Sequence, residues 1–194
     1  MRIRKQGRAP VITVAGLHGS GRSTQANRLA EVFNLRYIST GIVFRERAKE
    51  LGISLEEMNR RASEDDSFDR FLDARAKEES RKGGVVIDAN LSAWMAEDPD
   101  LKFYLTTPFE ERVRRIAGRE MRSIEMVEVE TRAREEMERE RYKRYYGVDV
   151  DDLTVYDLIL NTGPFDAETV AHILKNVVEA YMNKSEPHAS IRSW

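Results

Sequence analysis

Gly16-Leu17-His18-Gly19-Ser20-Gly21-Arg22-Ser23-Thr24 stands between an apolar run, Val11-Ile12-Thr13-Val14-Ala15, and a stretch of helix formers from Gln25 to Phe33. Strand, glycine turn and helix, in that order, are the setting of a phosphate-binding loop. Glycines at 16, 19 and 21 allow positive φ and bring backbone N–H groups around an anion. The helix opening near Arg22 adds unpaired amides and the positive end of its dipole. All nine residues are therefore candidates for holding a nucleoside triphosphate by its phosphates. The spacing follows G-x-x-x-x-G-K-[ST] except at the seventh place, where Arg22 stands for lysine. Charge is kept, but a wide planar fork replaces a compact ammonium on a flexible stem. His18 has no partner at a metal-ligand or acid–base spacing and reads as a loop residue.

Outward from this loop, short apolar runs recur at Leu35–Ile38, Val85–Asp88, Leu101–Leu105 and Leu158–Leu160. Val85–Asp88 runs without alternation, as expected of a parallel strand covered on both faces. Between them lie helical patterns. Ser39-Thr40-Gly41 caps one that begins at Ile42, and Ser54 with Glu57 forms a capping box for another, which runs through Phe68, Phe71 and Leu72 to Lys82, where Gly83-Gly84 ends it. Pro108 suits the first turn of a helix at Phe109–Arg119, and Asp166 caps a last amphipathic one. Five strands alternating with helices imply an α/β fold, a five-stranded parallel sheet with helices on both faces. Ligands of such sheets collect at the carboxyl ends of the strands. Gly16–Ser23, Thr40–Arg45 and Asp88–Asn90 should therefore surround one crevice.

The chemistry this crevice could support follows from its side chains. Ser23 holds the place whose hydroxyl ligates Mg²⁺, and Asp88, ending a buried strand, could hold the ion through water. Arg112, Arg115 and Arg119 share one helix face by spacing, and Arg134, Glu138 and Arg141 share another. Two guanidinium-bearing faces could close over a triphosphate and neutralise charge on a moving phosphoryl group. The same charges could instead form a solvated helix with pairs such as Glu135–Arg139 or Glu136–Arg132. Arg45, one turn past Gly41, is a candidate for the phosphate of a second substrate, and Arg75, with Asp69 and Asp73 nearby, could reach the same pocket. The methionines and Trp94 read as filling for core or rim.

The bulk properties narrow the class. A chain of 194 residues suits one α/β core. Residues 1–10 are basic and end at Pro10, so they read as a flexible leader, residues 11–183 as a single domain, and 184–194 as a flexible tail. Charged residues make up 34% of the chain, yet they cancel to a net −2, which leaves no global field to recruit nucleic acid or an anionic membrane. No apolar run approaches the ~20 residues of a membrane span, and there is no cysteine. The expectation is a cytoplasmic protein; oligomeric state is left open.

Several short motifs, in order, carry a family likeness: the loop Gly16–Thr24; Ser39-Thr40-Gly41 before Phe44-Arg45; Leu72-Asp73 with Arg75; Leu91 with Trp94-Met95; Arg115-Ile116-Ala117 with Arg119-Glu120; Arg134-Glu135 with Arg141-Tyr142; Tyr146-Gly147-Val148-Asp149; and Tyr156-Asp157-Leu158 with Asn161-Thr162. Together they resemble nucleoside monophosphate kinases, specifically the archaeal-type cytidylate kinases, from Val11 to about Ala180. The resemblance implies a P-loop core, a monophosphate-binding insert at about 41–82 and a helical lid at about 115–141. It implies Mg²⁺-dependent phosphoryl transfer from ATP to a nucleoside monophosphate, CMP or dCMP above others. Thr40, Gly41 and Arg45 would then lie at the acceptor phosphate, Asp73 and Arg75 near the acceptor, and Asn161 and Thr162 near the donor's adenine. Arg115, Arg119, Arg134 and Arg141 would act as lid or phosphate clamps beside Arg22. Two places depart from the family pattern: Arg22, and Asn90, where relatives carry arginine. Both touch the reacting end of the crevice, which keeps a second possibility in view: a nucleotide-binding module that senses or docks without efficient transfer.

Overall fold

A computed structural model describes residues 8–183. Five strands, β1 (Val11–Gly16), β2 (Arg36–Ser39), β3 (Val85–Asp88), β4 (Leu101–Thr106) and β5 (Leu158–Asn161), form one sheet in the order β2-β3-β1-β4-β5, every pair parallel. Eight helices connect or flank them: α1 (Arg22–Val32), α2 (Thr40–Glu50), α3 (Leu55–Glu64), α4 (Ser67–Lys82), α5 (Ser92–Met95), α6 (Phe109–Glu120), α7 (Ile124–Tyr146) and α8 (Ala167–Asn183). All five expected strands are present.

The central strands are buried on both faces because both faces carry apolar side chains. Ile12, Val14, Val86, Phe103 and Leu105 pack under Ala26, Leu29, Leu174 and Val178 of α1 and α8. Val11, Val85 and Ile87 face the other way, onto Ala76 of α4 and Ala96. Two further apolar clusters lie outside the sheet. Phe44, Ala48, Met58, Ala62 and Leu72 hold α2, α3 and α4 to one another, and Val113, Ile116, Ala117 and Val127 hold α6 to α7. The segments expected as insert and lid thus each have a small core of their own. Exposed apolar side chains are normal in such small units.

Three local details differ from the sequence reading. The pattern from Ser54 to Lys82 is two helices, because Asp65 takes extended backbone (φ −137°, ψ 120°) and its carboxylate accepts from the Ser67 N–H at 2.9 Å. An Asp that offers the backbone a local acceptor competes with helix continuation. Of the expected leader, residues 1–7 lie outside the described residues, as does the tail at 184–194. Ala9 and Pro10, however, already belong to the fold: their carbonyls accept from the N–H groups of Gly84 and Val85. Among the methionines, Met58 is core, but Met121 is 93% exposed and Met126 also stands in solvent. Among the described residues no helix is long and apolar enough to cross a membrane.

Candidate active site

β1 ends at Gly16 (φ 146°), and the loop that follows turns through Gly19 (φ 82°) and Gly21 (φ 88°) into α1. A methyl group on Gly16 would lie 2.2 Å from the Leu105 carbonyl oxygen and one on Gly19 2.6 Å from that of Arg112. Those two glycines are demanded by neighbouring backbone. At Gly21 a methyl group would meet nothing within 4 Å, so the space over the α1 N-terminus is open on the side from which a phosphate would approach. The Ser20 carbonyl accepts from the Thr162 hydroxyl at 2.9 Å, tying the loop to the end of β5.

A cleft of about 480 Å³ lies over this loop. Residues Leu17 to Gln25 form its floor, and Arg45, Arg115, Arg119 and Thr162 its walls. Arg115 is aimed by Thr162, to which it donates through Nη1 (hydroxyl, 3.1 Å) and Nη2 (carbonyl, 3.2 Å). Arg45 has no ion-pair partner among the described residues. Burial lowers its pKa first, then the nearby cations Arg134 and Arg119, with Arg22 adding to them and Asp88 opposing. Like charges held together at a cleft, where a small loop and two helix N-termini open, describe a place prepared for an anion of several charges.

Arg22 and Asp88 form the centre of the crevice. Arg22 Nε donates to Asp88 Oδ1 at 2.5 Å, and Nη1 donates to the Gly16 carbonyl at 2.9 Å and to the Asn90 side-chain oxygen. Asp88 Oδ2 accepts from the hydroxyls of Tyr37 (2.8 Å) and Ser39 (2.9 Å). Burial opposes ionisation of Asp88. Arg22 and the hydroxyls of Ser23, Tyr37 and Ser39 outweigh it, and the pKa falls below the usual carboxylate value. Both oxygens of Asp88 already accept from the protein, Oδ1 anchoring Arg22, so Asp88 would meet an ion only through water. Ser23 is an exposed residue of the cleft floor, and its hydroxyl, in reach of Asp88, is a hard oxygen donor. Among the described residues there is no cluster of three or more acidic, His or Cys ligands. That donor set fits Mg²⁺, which keeps waters and takes most of its ligands from substrate phosphates rather than from a protein cage.

α7 reaches back across the loop. His18 Nε2 lies 2.9 Å from Glu138 Oε2, the His18 N–H donates to Glu135 Oε1 at 3.3 Å, and Arg112 bridges the His18 carbonyl (3.0 Å) and Glu135 (2.5 Å). Glu138 also accepts from Asn90 Nδ2 at 2.9 Å and Arg134 Nε at 3.0 Å. Although burial opposes it, His18 and Arg134, with Arg141, hold the Glu138 carboxyl well below the usual range. His18 is therefore a fastening point between the loop and α7. Tyr37 and Glu135 were not legible as site residues, and Arg112 and Glu138 were legible only as members of a charged helix face, because the partners of all but Tyr37 arise only when α7 folds over the loop.

The expected arginine faces divide. Arg115 and Arg119 reach the cleft, whereas Arg112 is buried against Glu135. Neither anticipated intrahelical pair forms: Arg132 pairs with Glu128 and Arg139 with Glu136. Arg134 and Arg141 line a smaller cavity of about 50 Å³ with Arg22, Thr40, Gly41 and Asp69. Arg141 is 2% exposed and ion-paired to Asp69 at 2.7 Å, so it ties α7 to α4 and does not reach over the loop. Asp73 is half-buried on α4 beside Tyr146, while Arg75 is exposed and lines neither cavity. Asn161 accepts from the Gly163 N–H at 2.9 Å and shapes the turn after β5; Thr162 alone of the two meets the cleft.

A doubly flanked parallel sheet, a glycine loop at the central strand's end and an arginine-walled cleft between two helical flaps define a P-loop phosphotransferase. The chain belongs to the cytidylate kinase-like family, whose model matches residues 11–164. It is 41% identical over 175 residues to a cytidylate kinase of Staphylothermus marinus, covering 90% of this chain and 99% of that one. A cytidylate kinase of Archaeoglobus fulgidus is 43% identical over 169 residues, 87% of this chain and 94% of the relative. Among solved structures, a shikimate kinase from Acinetobacter baumannii in complex with shikimate superposes with a TM-score of 0.56 at 14% identity, over 92% of this chain and 96% of that one. That likeness concerns the fold alone.

Proposed function

We propose that this protein transfers the γ-phosphoryl group of ATP to CMP or dCMP. The observation that carries the reading is the convergence of four guanidinium groups, Arg22, Arg45, Arg115 and Arg119, on one cleft over a phosphate-binding loop. The names of relatives some 40% identical along nearly the whole chain support cytidylate as the acceptor. The sensor alternative has no support among them.

In this reading the loop amides and the α1 N-terminus hold the donor's β- and γ-phosphates, and Thr162 and the turn after β5 border its nucleoside. Helices α2–α4 serve as the acceptor insert and α6–α7 as the lid. Arg45 and the N-terminus of α2 hold the acceptor phosphate, whose oxygen attacks the γ-phosphorus in line. One P–O bond forms as the bond to the β-phosphate oxygen breaks, and ADP leaves with the electron pair. The acceptor is already an anion, so no general base is required; positioning and charge neutralisation supply the catalysis. Arg115 and Arg119 lie where they can spread the charge of the moving group. Ser23 would hold Mg²⁺, which would supply positive charge to offset that of the donor's phosphates. Purified protein given ATP, Mg²⁺ and each nucleoside monophosphate in turn should produce ADP and CDP fastest with CMP. Folded protein that turns over none of them rejects the reading.

A further inference from the structure

Arg22 takes the place of the loop lysine, yet its guanidinium is not free to follow a donor phosphate. Nε is fixed by Asp88, and Nη1 by the Gly16 carbonyl and the Asn90 oxygen. Asn90 is itself fixed, since its Nδ2 donates to Glu138, which also receives His18 and Arg134. One corner of the fork remains. Nη2 has no hydrogen-bond partner among the described residues, and a methyl group built on Gly41 would lie 3.9 Å from it and 3.4 Å from Arg45 Nη1. The free corner therefore looks toward the first turn of α2 and Arg45. Arg22 also borders both the large cleft and the 50 Å³ cavity, the junction at which two substrates would meet.

We propose that Arg22 clamps the acceptor phosphate together with Arg45, and that Asn90 is the positioning residue that aims it; the inference rests on the kinase reading above. A lysine at position 22 would swing with the donor's phosphates on four rotatable bonds, whereas this fork is locked before any substrate arrives. Locking removes the ordering cost at the moment of binding. The buried carboxylates of Asp88 and, behind Asn90, Glu138 offset Arg22, while Arg45 has no ion-pair partner among the described residues, so the pocket between the two guanidinium groups retains an attraction for a phosphate. Asn90 suits the positioning task because it is neutral and two-faced: its oxygen receives Arg22 while its nitrogen satisfies Glu138. A guanidinium at position 90 would be driven against that of Arg22.

The test compares the wild type with R22K, N90A, N90R and the double variant R22K/N90R. Calorimetric titrations with CMP and with ADP accompany steady-state kinetics in both substrates. R22K should weaken CMP binding and raise KM for CMP about tenfold or more, the scale of one charge-assisted contact, while ADP binding and KM for ATP shift less than about threefold. N90A should move the same CMP parameters in the same direction by less. N90R should bind CMP worse than the wild type, and the double variant should recover much of that loss, because shortening residue 22 removes the collision. A loss in R22K that falls on ADP equally or more, or N90R and R22K effects that simply add, overturns the clamp. A wild type that binds both nucleotides without turnover would defeat the kinase reading while the titrations still decide the clamp. A residue that only held the fold would move thermal unfolding and both ligands together.

Discussion

Gly21 sits at φ 88° with no protein atom in reach of a Cβ, so its lack of a side chain serves the backbone and whatever binds above it. Gly21→Ala should therefore cost about 1–2 kcal/mol of stability from the left-handed backbone alone. It should lower ATP affinity much more than CMP affinity, read by parallel titrations; equal losses would place the phosphates elsewhere. Asp88 makes a pH prediction. Its folded-state pKa lies below the ordinary value near 3.9, so it contributes stability above that pH, and the contribution disappears as pH falls through the folded value. Urea unfolding of the wild type should weaken below about pH 4. Asp88→Asn should be less stable at pH 7, on the order of 3 kcal/mol for a buried partner left uncompensated, yet lose less on acidification. Parallel pH curves for the two proteins would refute the assignment.

At the scale of elements, α7 is where composition and structure part company. Its 23 residues are dense in charge, and a solvated helix was one fair expectation. Instead Glu138 and Arg141 are buried, Glu138 over the phosphate loop and Arg141 against α3 and α4, where it also donates to the Asn59 side chain at 3.2 Å. Burial lifts the Asp69 carboxyl to about 6 against the pull of Arg141, with Asp73, Glu138 and Asp66 adding to the rise. Arg141→Met should strand Asp69 and destabilise the fold by about 3–5 kcal/mol in chemical denaturation, while Asp69→Leu with Arg141→Met should cost distinctly less. Equal losses would show that the pair is not coupled.

For the whole molecule, the decisive quantity is space. A cavity of about 50 Å³ beside Arg22 and Thr40 cannot admit a nucleotide, since small-molecule sites measure roughly 300 Å³ or more. In the kinase reading, seating the acceptor there requires α2–α4 and α7 to separate, which leaves the sheet's own core intact but must open the Arg141–Asp69 contact. A compound joining cytidine and adenosine through a five-phosphate bridge should raise the melting midpoint, by an amount equivalent to about 2.7 kcal/mol at one hundred times its dissociation constant. Hydrogen exchange should slow both at the loop and in α2 and α7. Protection confined to residues 16–24 would mean that insert and lid take no part.

The sequence by itself determined the sheet, the loop and the helix caps, because each depends on neighbours within a few residues: non-alternating apolar runs, glycines at 16, 19 and 21, Ser54 accepting from the Glu57 N–H at 3.1 Å. It also marked Arg22 and Asn90 as departures from a pattern. Only the tertiary structure decided that the two touch each other, that Asp88 spends both oxygens on the protein, and that His18 meets an α7 carboxylate 120 residues away. The physical reason is that helix periodicity fixes which side chains share a face, while burial and partner depend on what packs against that face. Arg115 and Arg141 look alike along the chain; one ends at an open cleft and the other inside a dry contact.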